Sequence, residues 1–399
     1  MSAASATAER AGTTISPRLI ACIGIAVGVL GMLVTVPPLL LETPIVPAAL
    51  GAIAIAIGAV AIARGERFLG VYAVAAGGLG ILAGVLVQSA EADTVQKVVA
   101  AGLFTGMLTY ATPLVFAALG GLVSERSGVT NIGLEGMMLS GCFWGIFFCD
   151  KADSWVIGIL GAMAAGGLMG LVHAFFSIHL QADQIVSGTA INILALGVTA
   201  YAFQTLYDEN GTPEVPIIPD VTIPLLEDVP YLGEVLGTMN LMVWVSLILA
   251  VVIWVFLFKT PWGLRLRAVG EHPRAADTVG VRVYRVRYLA VTASGMLAAA
   301  GGAYLSFGLL SSFNENMTAG RGFIALAALI FGRWHPFGLL GAALLFGFTQ
   351  SLGDQLQTSA GISAYIVTML PYVAVLVALV GLVGRSIPPA AVGLPYKRQ

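Results

Sequence analysis

Residues 259–287 read KTPWGLRLRAVGEHPRAADTVGVRVYRVR and lie between two apolar runs, 241–258 and 288–310. Each flank is long enough to cross a bilayer, since about 20 mostly apolar residues span the hydrocarbon. The stretch between them carries seven Lys or Arg residues, opposed only by Glu271 and Asp277. Short basic connections between spans stay on the cytoplasmic face. Within this one, Pro273 suits the first position of a helix and Gly280 the left-handed residue just past its end. Two turns of helix between them measure about 10 Å. Ala275, Ala276 and Val279 are expected on one bare face, beside Glu271 and Arg274, whose charged hydrogen bonds can orient a partner. Two readings stand: a solvated positive loop, or a handle for a soluble protein.

Outward from this stretch the chain is written for lipid. Of 399 residues, 58% are hydrophobic and only 10% charged, against roughly 25% charged in a soluble domain. Further runs at 19–36, 45–63, 68–87, 98–123, 155–180, 185–206 and 364–383 qualify as spans. Residues 132–148 are shorter and carry Glu135, while 323–331 and 337–348 are short and separated by GRWHP. That last pair reads either as two spans or as one broken or re-entrant element. The fold class is therefore all-α: a polytopic transmembrane helix bundle of ten to twelve spans with broken or short helices. When spans alternate from an inside N-terminus, sixteen of the 19 Lys and Arg residues fall inside, Arg126 and Arg333 among them. Lys97, Lys151 and Arg321 fall outside, as does the long loop 208–238, which has seven acids and no base. Both termini are then cytoplasmic, and the small leader 1–14 precedes an uncleaved anchor.

Several function classes drop out. There is no Gly-x4-Gly-Lys-Ser/Thr loop, no His-Glu-x-x-His and no nucleophile elbow, so the chain holds no ATP site of its own and does not read as an enzyme. The net charge of −2 and the absence of a basic domain give no reason to expect nucleic acid. Cys22, Cys142 and Cys149 lie in or beside spans and read as packing residues; His173 and His179 are not set with acids at metal-ligand spacing. No cofactor and no metal are expected.

A few polar residues inside spans carry more information. Gly133, Gly136 and Ser140 recur at helical spacing and present a small face for close helix packing. An acid in lipid must face protein or a cavity and find a partner. Glu135 therefore touches or gates a solute, couples a proton, or bonds the exposed backbone of a broken helix. Asn131 is a helix-terminus residue or a pathway donor. Asn192, like His173, Gln204 and Gln350, makes an interhelical hydrogen bond or lines a pathway. Asn314, Glu315 and Asn316 sit at an outer turn, just before Gly320-Arg321-Gly322, that meets a delivery protein, lines the outer mouth, or is simply solvated. The glycines around Arg321 suggest a helix broken inside the bundle. Stretches 131–141 and 320–332 form a weak candidate pair for an internal repeat.

Three pieces carry a family resemblance. GLRLRAVG (263–270) with Ala275-Ala276 and Gly280-Val281 resembles the inner-loop signature of ABC-importer permeases, in the branch that serves branched-chain amino acids, ribose-type sugars and nucleosides. AALGGLVSERSGVTNIGLEGMMLSGC (117–142) and AGRGFIALAALIFGRWHPFGL (319–339) resemble the nucleoside, or simple-sugar, permeases of that branch. The resemblance covers 98–383; it leaves 1–97 as an N-terminal extension with about three extra spans and 384–399 as a cytoplasmic tail. It implies a permease subunit in a prokaryotic plasma (inner) membrane. ABC ATPase subunits would dock on Gly263, Arg265, Arg267, Gly270, Glu271, Pro273, Arg274, Ala275, Ala276 and Gly280 from the cytoplasm. A second permease chain, a related one or a copy of this one, would complete the pore. An extracellular or periplasmic solute-binding protein would deliver the solute, nucleosides first and simple sugars as the alternative. The rivals are an ion-coupled secondary carrier with Glu135 as its titrating group, and a channel or structural membrane protein.

Overall fold

Caps and prolines start the helices that the apolar runs then extend. In the computed structural model, residues 16–34, 45–66, 69–74, 76–78, 80–81, 101–208, 211–227, 229, 233–360, 369 and 386–397 are described. The leader, the expected span 364–383 apart from residue 369, and much of the expected span 68–87 lie outside them, with Arg10, Arg67, Lys97, Arg385 and Arg398.

The chain forms two compact units, one of residues 1–102 with 355–362, the other of 103–354 with 363–399. In the first, α1 (Pro17–Leu33) begins on a proline and its Leu19 amide donates to Ser16 Oγ at 3.3 Å. It packs on α2 (Ile45–Ala63), where a Cβ on Gly31 would come within 3.3 Å of the Pro47 carbonyl.

The second unit is built from α3 (Ala101–Arg126), α4 (Leu134–Ala152), α5 (Trp155–Ala174), α6 (Gln184–Tyr207), α8 (Leu241–Lys259), α11 (Val283–Ala303) and α13 (Pro336–Ala360). Asp183 and Asn240 cap α6 and α8 by accepting amides of their first turns. Wide-turn segments, Phe175–His179 and Tyr304–Leu310, prolong α5 and α11. Among the described residues seven helical stretches, α2 included, are long and apolar enough to cross a membrane. The chain is therefore a multi-pass membrane protein. Of the crossing windows, 78% is buried in α3 and 67% in the α11 stretch, against 28% for α5 and 33% for α6 and α8. So α3 and α11 form the core with α4, whose Glu135, Asp150 and Lys151 keep it out of the apolar set, and α5, α6 and α8 turn a face outward.

Small residues let this core close. A Cβ on Gly141 would lie 2.2 Å from the Ala299 carbonyl, one on Gly302 2.0 Å from that of Met138, and one on Gly295 2.2 Å from that of Gly166. Helix backbones in direct contact are how bundles pack where lipid supplies no hydrophobic drive.

Two expectations need correction. The stretch 208–238 is not plain loop: β1 (Asp220–Thr222) pairs antiparallel with β2 (Thr238–Asn240), Asp220 opposite Asn240, around a short α7 (Pro224–Glu227). The basic stretch holds two helices, not one. Before α10 (Pro273–Thr278) comes α9 (Pro261–Glu271), with Pro261 in its first turn and Thr260 Oγ1 accepting the Gly263 amide at 3.1 Å. As for the ambiguous pair 323–331 and 337–348, α12 (Arg321–Phe331) is a half-helix of about 16 Å, and α13 is a full crossing.

Candidate functional site

The basic stretch is braced against the end of the bundle where α3 stops. Arg126 closes α3 and donates through Nε to the Trp334 carbonyl at 3.0 Å, while Trp334 Nε1 donates to Glu125. Gly270, near the end of α9, sits directly on this turn: a Cβ there would be 2.2 Å from the Arg126 carbonyl. Gly263 is equally tight, 2.0 Å from the Phe256 carbonyl by the same construction. Arg267 lies over the Phe258 ring at 4.8 Å and Arg265 over Trp262 at 5.2 Å. Glu271 and Arg274 are exposed.

On α10, Pro273 occupies the first turn and Gly280 follows at φ 86°, the left-handed conformation that glycine takes without strain. The expected common face of Ala275, Ala276 and Val279 does not form. Ala276 is buried against Val269, Val283 and Tyr396, whereas Ala275 and Val279 point out, Val279 being 78% exposed. The reason is angular: positions four apart differ by about 40° around a helix, neighbours by about 100°.

Beyond Arg126 the backbone leaves helical form. Between the turn 124–128 and α4 runs the segment 129–133, deep in the bundle, with its polar groups met one by one by side chains. Ser124 Oγ donates to the Val129 carbonyl at 2.8 Å. The Thr130 amide donates to Gln184 Oε1 at 2.7 Å, and the Thr130 carbonyl faces His173 Nε2 at 2.9 Å. Asn192 Nδ2 donates to the Ile132 carbonyl at 3.0 Å, and its Oδ1 accepts the Gly136 amide at 2.8 Å. Asn131 Oδ1 accepts the Gly133 amide at 3.1 Å while its Nδ2 donates to Ser294 Oγ at 2.9 Å. Irregular backbone survives at membrane depth only when protein satisfies it in this way. His173 is fully buried, and because Nε2 faces a carbonyl it carries the proton there; Nδ1 faces Ser187 Oγ at 3.0 Å.

The next residue of consequence is Glu135, in the first turn of α4. Its carboxylate accepts from Thr318 Oγ1 at 2.6 Å, from the Gly320 amide at 2.8 Å and from the Gly322 amide at 2.6 Å. It therefore caps α12, supplying the acceptor that the first amides of a helix lack. The two helices run in opposite senses: α4 leads away from Arg126, parallel to α11, and α12 ends beside it at Trp334. Their N-termini share one carboxylate, which suits the positive end of each helix dipole. In this structure the Glu135 carboxylate bonds the start of the broken helix α12.

The other candidates are distributed as follows. Gly133 and Gly136 approach Ile191 and Asn192 of α6, and Ser140 is buried on the same helix. Arg321 bonds the Met317 and Thr318 carbonyls through Nη1, at 3.2 and 3.3 Å. Asn314 and Glu315 are exposed at the far end from Arg126, where Glu315 accepts from Gln204 Nε2 at 3.3 Å. They are not joined to the Asn131–Glu135–Asn192 group. Sequence reading missed Gln184, Thr318 and Trp334 because their partners, the Thr130 amide and the Glu135 and Glu125 carboxylates, lie 54, 183 and 209 residues away along the chain, and it missed Ser124, whose bond to the Val129 carbonyl follows only once α3 stops at Arg126. It also missed the tail residues Ala391, Leu394 and Tyr396. Only α9 had a readable signal, Thr260-Pro261 before an amphipathic run.

Comparison with known proteins finds relatives over most of the chain. A family model described as branched-chain amino acid transport system / permease component matches residues 103–385. The guanosine ABC transporter permease protein NupQ of Bacillus subtilis is 45% identical over 301 residues, covering 72% of this chain and 94% of the relative. The nucleoside ABC transporter permease protein NupC of Lactococcus lactis subsp. cremoris is 38% identical over 315 residues, 76% of this chain and 98% of the relative. A second Bacillus subtilis protein, the guanosine ABC transporter permease protein NupP, is 24% identical over 310 residues, 73% and 88% of the two chains. No solved structure matches the chain.

Proposed function

The chain belongs to the family of branched-chain amino acid transport system permease components, and from that premise we propose that it is the membrane-spanning subunit of an ATP-driven importer of nucleosides. It is a transport subunit, not an enzyme; hydrolysis resides in partner ATPases. The observation that carries the substrate class is its 45% identity to a guanosine permease across 94% of that relative. Simple sugars, the alternative drawn from the resemblance of 117–142 and 319–339, are the less favoured class.

In this reading the Arg126 end of the bundle is cytoplasmic, in a prokaryotic plasma membrane with both termini inside. Residues 1–97 are an extension to a permease core at 98–383, and the bundle comprises ten to twelve spans in all. ATPase subunits dock on α9 and α10, through Glu271, Arg274 and the exposed Ala275. Motion of α9 reaches the turn 124–128 through Gly270, whose backbone abuts Arg126. From there it passes along the stitched segment 129–133 into α4, and through Glu135 into α12. Two helices of opposite sense that begin at one carboxylate can shift together, so an outward-open and an inward-open state would differ by their joint displacement. Asn131, Asn192 and Arg321 are bonded in this arrangement and become pathway groups only if those bonds exchange. An extracellular or periplasmic binding protein would meet the end that carries Asn314 and Glu315. Bacillus subtilis holds two guanosine permease proteins, and this chain resembles NupQ far more than NupP. That supports a pore of two related but unlike chains.

The test is reconstitution of the chain with its ATPase, its second permease and its binding protein in vesicles. Uptake of labelled guanosine should need ATP on the α9–α10 side and survive an ionophore. Uptake that persists without the ATPase and collapses with the ionophore would establish the secondary carrier instead.

A further inference from the structure

The last described residues do not trail away from the bundle. Ser386 Oγ donates to the Ile330 carbonyl of α12 at 3.0 Å. The Ala390 amide donates to Glu271 Oε2 at 3.1 Å, and the Ala391 amide to the Gly270 carbonyl at 2.9 Å. The Leu394 carbonyl accepts from Nη1 of the buried Arg287 at 3.2 Å, and Arg287 Nε holds the Ser127 carbonyl at 3.2 Å. Tyr396 is buried among Val269, Ala276 and Val283, and its hydroxyl donates to Asp277 Oδ2 of α10 at 2.8 Å. Its carbonyl accepts from the Tyr284 hydroxyl at 3.3 Å. One short segment thus touches α12, α9, α10, α11 and the turn after α3.

We infer that residues 386–397 are a transmission strap, a second mechanical link between the coupling helix α10 and the broken helix α12, with Tyr396 as its positioning residue. The inference rests on the coupling role given above to residues 259–287. Two physical points support it. Anchors lie at both ends of the strap, so displacement of α10 reaches Ile330 by a path other than the contact of Gly270 with Arg126, and the Ala391 bond to the Gly270 carbonyl ties α9 into that same path. The second point concerns Ala276, which lies beneath Tyr396; the tail, not the remainder of the bundle, supplies part of the seat on which α10 rests. A cavity of ≈ 720 Å³ lies between the two, with Glu271, Arg274 and Ala275 on one wall and Ala391, Leu394 and Lys397 on the other. An ATPase gripping α10 would therefore touch the strap as well.

The experiment compares the assembled importer, wild type and variant, for solute moved per ATP hydrolysed, ATPase co-purification and thermal midpoint. A chain ending at Arg385 should keep its ATPase and still hydrolyse ATP, yet move at least fivefold less solute per ATP. Tyr396→Phe, which loses only the hydroxyl, should cut the ratio about twofold at an unchanged midpoint. An unaltered ratio in both the truncated chain and Tyr396→Phe would overturn the strap. So would a fall in the ratio that merely follows the thermal midpoint. If the wild-type chain co-purifies with no ATPase, the coupling reading falls and the strap with it. If it does co-purify and the tail variants transport normally, only the strap fails.

Discussion

Glu135→Gln is the sharpest perturbation available, because a single atom changes in a site where every partner is a donor. Oε1 receives Thr318 and Gly320, and Oε2 receives Gly322. A glutamine keeps one acceptor oxygen and sets an NH2 group against at least one backbone N–H. A buried donor left without a partner costs about 1–3 kcal/mol, and hydrogen bonds to a charged group contribute about 1.5–3 kcal/mol each. Loss of charge at a partly buried helix end adds up to ~2 kcal/mol. Allowing for overlap between these terms, the turn 318–322 should open more easily by about 2–4 kcal/mol. That is a factor of roughly 30 to 700 at 1.4 kcal/mol per tenfold. Amide hydrogen exchange read by mass spectrometry in nanodiscs is the assay, with guanosine uptake measured beside it. Exchange at residues 320–325 should accelerate at least 30-fold while α5 and α8 are unaffected, and uptake should fall. If Glu135→Gln abolishes uptake while exchange at 320–325 stays within threefold of wild type, Glu135 acts on solute or proton and the capping argument is refuted.

Other consequences can be read from single contacts. Asn192→Asp keeps the acceptor for Gly136 but sets an oxygen against the Ile132 carbonyl, so thermal unfolding in detergent should show a loss of about 2–4 kcal/mol; an unchanged midpoint would mean that the segment 129–133 has other partners. Gly270→Ala introduces a Cβ 2.2 Å from the Arg126 carbonyl and should separate α9 from the turn, lowering uptake per ATP severalfold. Gly280→Ala, with open space around it and only a left-handed backbone to strain, should lower stability in thermal unfolding by about 1–2 kcal/mol. His335, in the turn between α12 and α13, is held below its ordinary value by burial and then by the neighbouring Arg126. The folded state therefore binds fewer protons than the unfolded one, and stability should decline as pH falls through about 6.5. Thermal midpoints between pH 5.5 and 7.5 should show that slope, and His335→Gln should flatten it; equal slopes would remove His335 from the account.

Much of this architecture is legible in the sequence. The apolar runs mark the crossings, and Pro273 and Gly280 bracket α10 because their backbone restrictions act locally. What stayed hidden depends on distance along the chain. That Thr130 needs His173 and Gln184 follows from the loss of helix at 129–133, and no local signal says which side chains will reach it. Residue 135 was conspicuous as an acid in lipid, but its three partners lie at 318–322. The burial of Ala276 required Tyr396, more than a hundred residues on, to be in place. The segment 208–238 read as an acidic loop because three-residue strands leave no periodic pattern.

The central claim is that a separate ATPase grips α9 and α10 and drives the bundle through them. A photoreactive crosslinker on an Arg274→Cys chain in inverted membrane vesicles tests it most directly. The account predicts one adduct with the ATPase subunit, formed from the cytoplasmic side and changed in yield by ATP. Labelling of Arg274→Cys only from the outer face, or an adduct with no ATPase under any nucleotide condition, would contradict it.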